Sequence, residues 1–208
     1  ELTVRQWQAL FQPAPSADPV ARRRFQKPAP ALVMTLPVIQ ETDIDTGEKL
    51  ECVVLFVGAG VSLIHVFLKS LIDLGHLGLV PGSGHFQVTE VYSISNGQPE
   101  KLAWRQDDPL DGFTCAVQPL SWLVGQDRVP GRLMITYETP VRLMVNGRPL
   151  RKPRFRQVFP FMLRRVTSMI HAHSGVELLD EPSSLLESVS RIDELETRLN
   201  WIDWRAIG

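Results

Sequence analysis

The stretch CVVLFVGAGVSLIHVFLKSLIDLGHLGLVPGSGH, residues 52–85, decides how the rest of the chain is read. Cys52 to Phe56 are apolar and mostly β-favouring, so they predict a buried strand, with Cys52 as a small core residue. Gly58 and Gly60 break the run. Val61 to Leu74 then repeats apolar residues at helical spacing, with Leu63, Ile64, Phe67, Leu68 and Leu71 on one broad face. Gly75 reads as the residue that stops this helix. Residues 75–85 hold too much glycine for a regular element, and Phe86 to Ile94 alternates as a strand does. Leu50 to Ser95 is therefore a β-α-loop-β unit whose helix can bury one face on a sheet. Glycines let backbone N–H groups approach a phosphate, so the loop with Gly78, Gly82, Gly84 and His85 is a natural place for a ligand. No Lys or Arg lies between Lys69 and Lys101, however, so this loop does not hold RNA by charge alone.

Upstream, Leu2 to Phe11 fits a short helix with Trp7, Leu10 and Phe11 on one side. Pro13 to Pro30 contains five prolines and the cluster Arg22-Arg23-Arg24, and reads as extended linker. Ala31 to Ile39 reads as a strand and Thr42 to Glu48 as a turn on Asp45-Thr46-Gly47, so this strand pairs with the one at Cys52 as a hairpin. Downstream, Asn96-Gly97 is a two-residue hairpin signal, with Lys101 to Arg105 returning. Thr114 to Gly125 fits either a short helix or a strand. Arg132 to Tyr137 and Val141 to Val145 read as strands, followed by a turn at Asn146-Gly147 and a basic connection, Pro149 to Arg156. Phe159 to Ala172 is the second strong helix, striped by Phe159, Met162, Val166, Met169 and Ile170, with Pro160 in its first turn. A third helix is capped by Asp180, or by Ser184 in a capping box with Glu187, and continues through Leu185, Val189, Ile192 and Leu199.

At 208 residues the chain is long enough for one large or two small domains. Its formal net charge of −1 hides an asymmetry. Residues 139–176 contain no acid and eight basic side chains, whereas residues 177–208 contain eight acids against three arginines. That pattern predicts a basic surface beside an acidic helix, or else ion pairs between the two. Two cysteines make no disulfide framework, so a reducing cytoplasm is the simplest setting. The longest apolar run, Val53 to Leu68, is interrupted by Ser62 and His65 and is too short and too polar to span a membrane. The chain starts with Glu1, so a longer natural N-terminus is expected.

The chemistry-bearing residues narrow the choice. There is no phosphate-loop lysine motif, no paired Cys/His metal spacing and no nucleophile elbow. His171 and His173 are candidates for a general base, because histidine titrates near neutral pH. A polar helix end complementing the dipole is the plainer role for them. The basic run is more informative. Arg151, Lys152, Arg154 and Arg156 alternate with proline or apolar residues, Phe155 sits between two arginines, and Arg164 and Arg165 follow on the helix. Arginines neutralise phosphates and interleaved aromatics stack on unpaired bases, which favours single-stranded or looped RNA as the partner.

Three motifs in order carry a resemblance: Gly78-Leu-Val-Pro-Gly-Ser-Gly-His-Phe86, Tyr137-Glu-Thr-Pro-Val-Arg-Leu143 and Phe159-Pro-Phe-Met-Leu-Arg-Arg-Val166. With the Trp7–Phe11 segment, the proline-rich stretch and the hairpin after it, the chain resembles the CRISPR pre-crRNA-processing endoribonucleases of the RAMP superfamily, over most of residues 5–205. The resemblance implies an α+β fold of ferredoxin-like β-α-β units, an antiparallel sheet with helices on one face. It divides the chain into residues 1–30, a helix and linker left from an upstream domain, and residues 31–208, the ferredoxin-like domain with its C-terminal helix. It also implies cleavage of CRISPR repeat RNA without metal or cofactor: the ribose 2′-hydroxyl attacks the adjacent phosphate, leaving a cyclic phosphate and a free 5′-hydroxyl. Other CRISPR-associated proteins are the implied partners, and no membrane. The chain departs from the family pattern in three places. It lacks the opening strand and helix where a catalytic histidine often lies, it stops at Trp201-Ile-Asp-Trp-Arg205 before the glycine-rich C-terminal segment, and it has His85 where a basic residue is usual. A fragment lacking both ends is therefore expected. Two alternatives stand beside the enzyme: a non-catalytic RNA-binding or scaffold subunit, and an unrelated α+β interaction domain whose arginines pair with its own acidic helix.

Overall fold

The structure, a computed structural model, describes residues 2–35, 44–95, 98–110, 113–119, 131–137, 141–174, 176 and 182–200. The fold is α+β, with helices interspersed among small two-stranded sheets. The chain forms two compact units, residues 1–33 with 55–132, and residues 34–54 with 133–208.

In the first unit, helix α1 (Val4–Phe11) starts at a capping box: Gln6 N–H donates to Thr3 Oγ1 at 3.2 Å, and Thr3 N–H donates to Gln6 Oε1 at 2.9 Å. The proline-rich stretch holds a second short helix, α2 (Pro19–Arg24), where an extended linker was expected. Its start explains it. Asp18 accepts the Val20 N–H at 2.9 Å, Pro19 occupies the first position, and Arg22, Arg23 and Arg24 fill the last turn, where cations complement the dipole. Strands β1 (Leu32–Thr35) and β2 (Val53–Phe56), each divided between the two units, pair as the expected two-stranded sheet; the turn before β2, in which Glu48 N–H reaches Asp45 O at 3.1 Å, belongs to the second unit. The rest of the expected first strand and the start of its turn, residues 36–43, lie outside the described residues. Cys52 is exposed, not a core residue, because β2 is half-open to solvent.

Gly58–Leu63 forms a 3₁₀ turn that leads directly into helix α3 (Ile64–Leu77). The helix does not stop at Gly75. It stops at Gly78, whose φ of 88° only glycine adopts without strain. Gly75 is buried inside the helix because the chain passes against it: a Cβ there would lie 2.3 Å from the Phe86 carbonyl oxygen. Leu68 of α3, Trp104 and Phe113 form one buried cluster of this unit, with Ile64, Ile72, Val91 and Leu110 packed around them. By length and composition Gly58–Leu77, with mean hydropathy 1.3, reaches what a membrane crossing needs, further than the run Val53–Leu68 suggests. Its α-helical part is only 14 residues, about 21 Å, and it carries the Lys69–Asp73 ion pair.

Strands β3 (Glu90–Ser95) and β4 (Gln98–Arg105) pair antiparallel, with Val91 opposite Trp104 and Glu90 opposite Arg105. Irregularities in register fall between Val91 and Tyr92 and between Ser93 and Ile94. The predicted turn residues Asn96 and Gly97 lie outside the described residues, and β4 begins earlier than the expected Lys101. Residues 113–119 hold neither helix nor strand, and the remainder of that ambiguous segment, 120–125, is outside the description.

In the second unit, residues 133–137 do not form the expected strand. Strand propensity reflects packing against a neighbour, and Leu133 and Met134 are both exposed. Strands β5 (Met144–Val145) and β6 (Arg148–Pro149) form a tight hairpin. Asn146 (φ 50°) and Gly147 (φ 74°) make its turn with the paired positive φ of the type that matches strand twist. Helix α4 (Phe155–Ser174) begins four residues before the expected start, so Pro160 sits in its interior rather than its first turn. Helix α5 (Ser183–Ser190) packs against it. Ser184 is not its cap. Pro182 precedes the helix without a side-chain cap, and the Ser184 carbonyl accepts the Ser188 hydroxyl at 2.9 Å. Asp180 is outside the described residues, and residues 192–200 do not continue the helix. Among the described residues the three sheets stay two-stranded.

Candidate functional site

The glycine loop belongs to the first unit and the basic segment to the second. The loop closes on itself. Leu79 N–H donates to Gly84 O at 3.1 Å, Val80 N–H to Ser83 O at 3.3 Å and Ser83 N–H to Val80 O at 2.9 Å. Gly82 and Gly84 have φ of 79° and 69°, which this tight turn requires. His85 Nδ1 meets the His76 carbonyl at 3.0 Å. The Gly78, Leu79, Val80 and Ser83 amides are thus committed to backbone carbonyls and are not free to cradle an anion. His65 is structural too. Its Nε2 lies 3.2 Å from Phe113 O and its ring 4.6 Å from the Phe113 ring.

The basic segment is organised by the start of α4. Arg154 is the residue at which the helix begins. Its carbonyl accepts Val158 N–H at 3.0 Å and Gln157 N–H at 2.8 Å, and its own N–H donates to Gln157 Oε1 at 3.1 Å. Arginine has no acceptor to offer the first free amides, and the first turn holds no acid. The Phe155 N–H is met instead by the carboxylate of Glu194. That carboxylate also acts on Tyr137, whose hydroxyl is held above its usual range by burial first and by Glu194 second.

Arg151, Lys152, Arg154, Arg156, Arg164 and Arg165 are all exposed, and none pairs with a carboxylate among the described residues. Glu187 pairs with Arg191 at 2.6 Å and Glu196 with Arg198 at 2.7 Å, so these two acids are turned to their own neighbours, whereas Glu194 reaches the start of α4. Phe155 and Phe159 stand 5.5 Å apart, centroid to centroid, one turn from each other between these arginines. The six cations fall into two groups, one at the helix start and one at Arg164 and Arg165, roughly 13 Å along the axis.

His171 and His173 lie half-buried in the last turn of α4. They are about 24 Å from the helix start at 1.5 Å per residue, so the basic end and the histidines do not meet one phosphate. The helix stays regular to Ser174, which sets the two rings about 200° apart around it rather than on one metal ion. Among the described residues no group of three or more His, Cys, Asp or Glu is placed to hold a metal. The sequence singles out no acid for the start of α4. It suggests arginine side chains as partners for the acids of residues 177–208, and one of those acids, Glu194, reaches a backbone amide instead. An arginine at a helix start, with acids later in the chain, is the signal that points to it.

No curated protein and no solved structure matches the chain. A family model does, over residues 4–111, which is just over half of its length. The matched region runs from α1 through β4 and takes in the Leu68–Trp104 core, so the chain belongs to the AF_1859_N family, described as an N-terminal domain.

Proposed function

We propose that this chain binds single-stranded RNA, with the N-terminal end of α4 as the place where phosphates are held. One observation carries the reading: four exposed basic side chains, Arg151, Lys152, Arg154 and Arg156, without carboxylate partners among the described residues, surround a helix start whose dipole adds to their positive potential, and Arg164 and Arg165 extend the charge along the helix. The Phe155–Phe159 pair supports it by offering aromatic faces among the arginines. The rival, an interaction domain whose arginines are neutralised by its own acids, loses ground because Glu187 and Glu196 pair locally. Binding to a labelled single-stranded RNA across a salt series tests the proposal. Replacing Arg151, Lys152, Arg154 and Arg156 by alanine should weaken binding to all sequences alike and flatten the salt slope by roughly 0.7 per lost phosphate contact. Unchanged affinity would remove the patch from the argument.

A finer proposal is the one the motif order supports: a RAMP-type endoribonuclease that processes CRISPR precursor RNA in the cytoplasm. The succession β2, α3, β3, β4 matches the element order of one ferredoxin-like half, while among the described residues β2 pairs with β1 and β3 with β4 in separate two-stranded sheets. His171 and His173 support a catalytic role by sharing α4 with the arginines, and RNA would have to run along the helix to meet both ends. Incubation with a CRISPR repeat RNA in the presence of a chelator separates the two levels. Cutting that His171→Ala or His173→Ala abolishes supports the enzyme; binding without cutting leaves a non-catalytic RNA-binding subunit.

A further inference from the structure

We infer that Glu194 is an internal phosphate mimic that closes the RNA-binding end of α4 until RNA displaces it. The inference rests on the RNA reading above and concerns the regulation of that same site. A helix start presents free N–H groups and the positive end of the dipole, and a Ser, Thr, Asp or Asn side chain usually answers them. Here Arg154 stands in that position, Arg156 follows within the first turn, and no acid is near in sequence. The acceptor that reaches the Phe155 N–H comes from 39 residues further along, in a segment, 192–200, that belongs to no helix or strand. Glu194 is itself exposed. A carboxylate oxygen held by a helix N–H among arginines carries the charge and acceptor chemistry of a phosphate oxygen. An RNA phosphate and Glu194 therefore compete for one position, and the free chain binds RNA more weakly than its basic surface would allow.

Glu194→Ala and Glu194→Gln, measured beside Glu196→Ala, test this on the full chain with the same labelled single-stranded RNA. Glu196→Ala makes the same change in net charge in the same segment, and its partner is Arg198. Glu194→Ala should bind RNA about two- to fivefold more tightly, with the salt slope steeper by roughly 0.7. Glu194→Gln keeps an acceptor for the helix, folds where the alanine variant does not, and should also tighten binding because the charge is gone. Glu196→Ala should match the wild type. Equal affinity of the wild type and both Glu194 variants, or a gain shared by Glu196→Ala, overturns the inference and leaves the RNA reading standing. Absence of RNA binding by every chain overturns both.

Discussion

A side chain at position 75 has nowhere to go. The nearest atom to a Cβ there is the Phe86 carbonyl oxygen at 2.3 Å, and Phe86 N–H donates to Gly75 O at 3.1 Å, so the two backbones are tied together. Gly75→Ala gains helix propensity but overpacks a fixed contact, and should cost about 1–3 kcal/mol. Gly131→Ala meets open space at ordinary φ and should stay within about 0.5 kcal/mol of the wild type. Thermal unfolding of the two variants checks both. A Gly75→Ala chain as stable as the wild type would mean that α3 and Phe86 separate freely. The role of Gly75 was not legible in the sequence, where a glycine after an apolar helix pattern reads as a stop. What keeps it a glycine is a chain segment eleven residues later, which no local pattern encodes. Cys52 shows the same limit, since apolar neighbours imply burial only when something covers them.

At the level of elements, α4 holds two features open to test. Pro160 lies inside the helix and has no N–H to give the Arg156 carbonyl. Pro160→Ala should restore that bond and stabilise the protein by roughly 1–3 kcal/mol, read as a higher Tm. A lower Tm would show that proline at position 160 is needed for packing. The second feature is the field of Glu194. Tyr137 and Tyr92 are the two tyrosines of the chain, so phenolate absorbance resolves them readily. Removing the negative charge in Glu194→Ala should lower the Tyr137 pKa toward its ordinary value without reaching it, because burial is the larger cause and remains. No change in either titration would place Glu194 away from Tyr137 in solution. Elements set by local chemistry were legible: α1 from Trp7, Leu10 and Phe11 on one side, the β5–β6 turn from Asn146-Gly147, and α3 from its apolar period. Elements that depend on a distant partner were not. Residues 133–137 have strand composition without a strand, and Leu199 has the helical period without the helix.

For the molecule as a whole, the division into two compact units means that damage in one need not reach the other. Leu68→Ala leaves a cavity beside Trp104 and Phe113 and should cost about 2–4 kcal/mol. Calorimetry should resolve more than one transition, with only one moved by this substitution, while RNA affinity below that transition stays at the wild-type level. A single transition that shifts as a whole would argue against separate units. The coarse α+β class was legible because alternating and helical periods are written locally. The division was not, since it rests on which distant stretches pack together. The same distance has a consequence in time. Glu194 follows the amide it reaches by 39 residues, and synthesis proceeds at about 5–20 residues per second. Each newly made chain thus shows an open basic helix start for roughly two to eight seconds before its own carboxylate arrives, a short interval in which any polyanion near the ribosome meets it first.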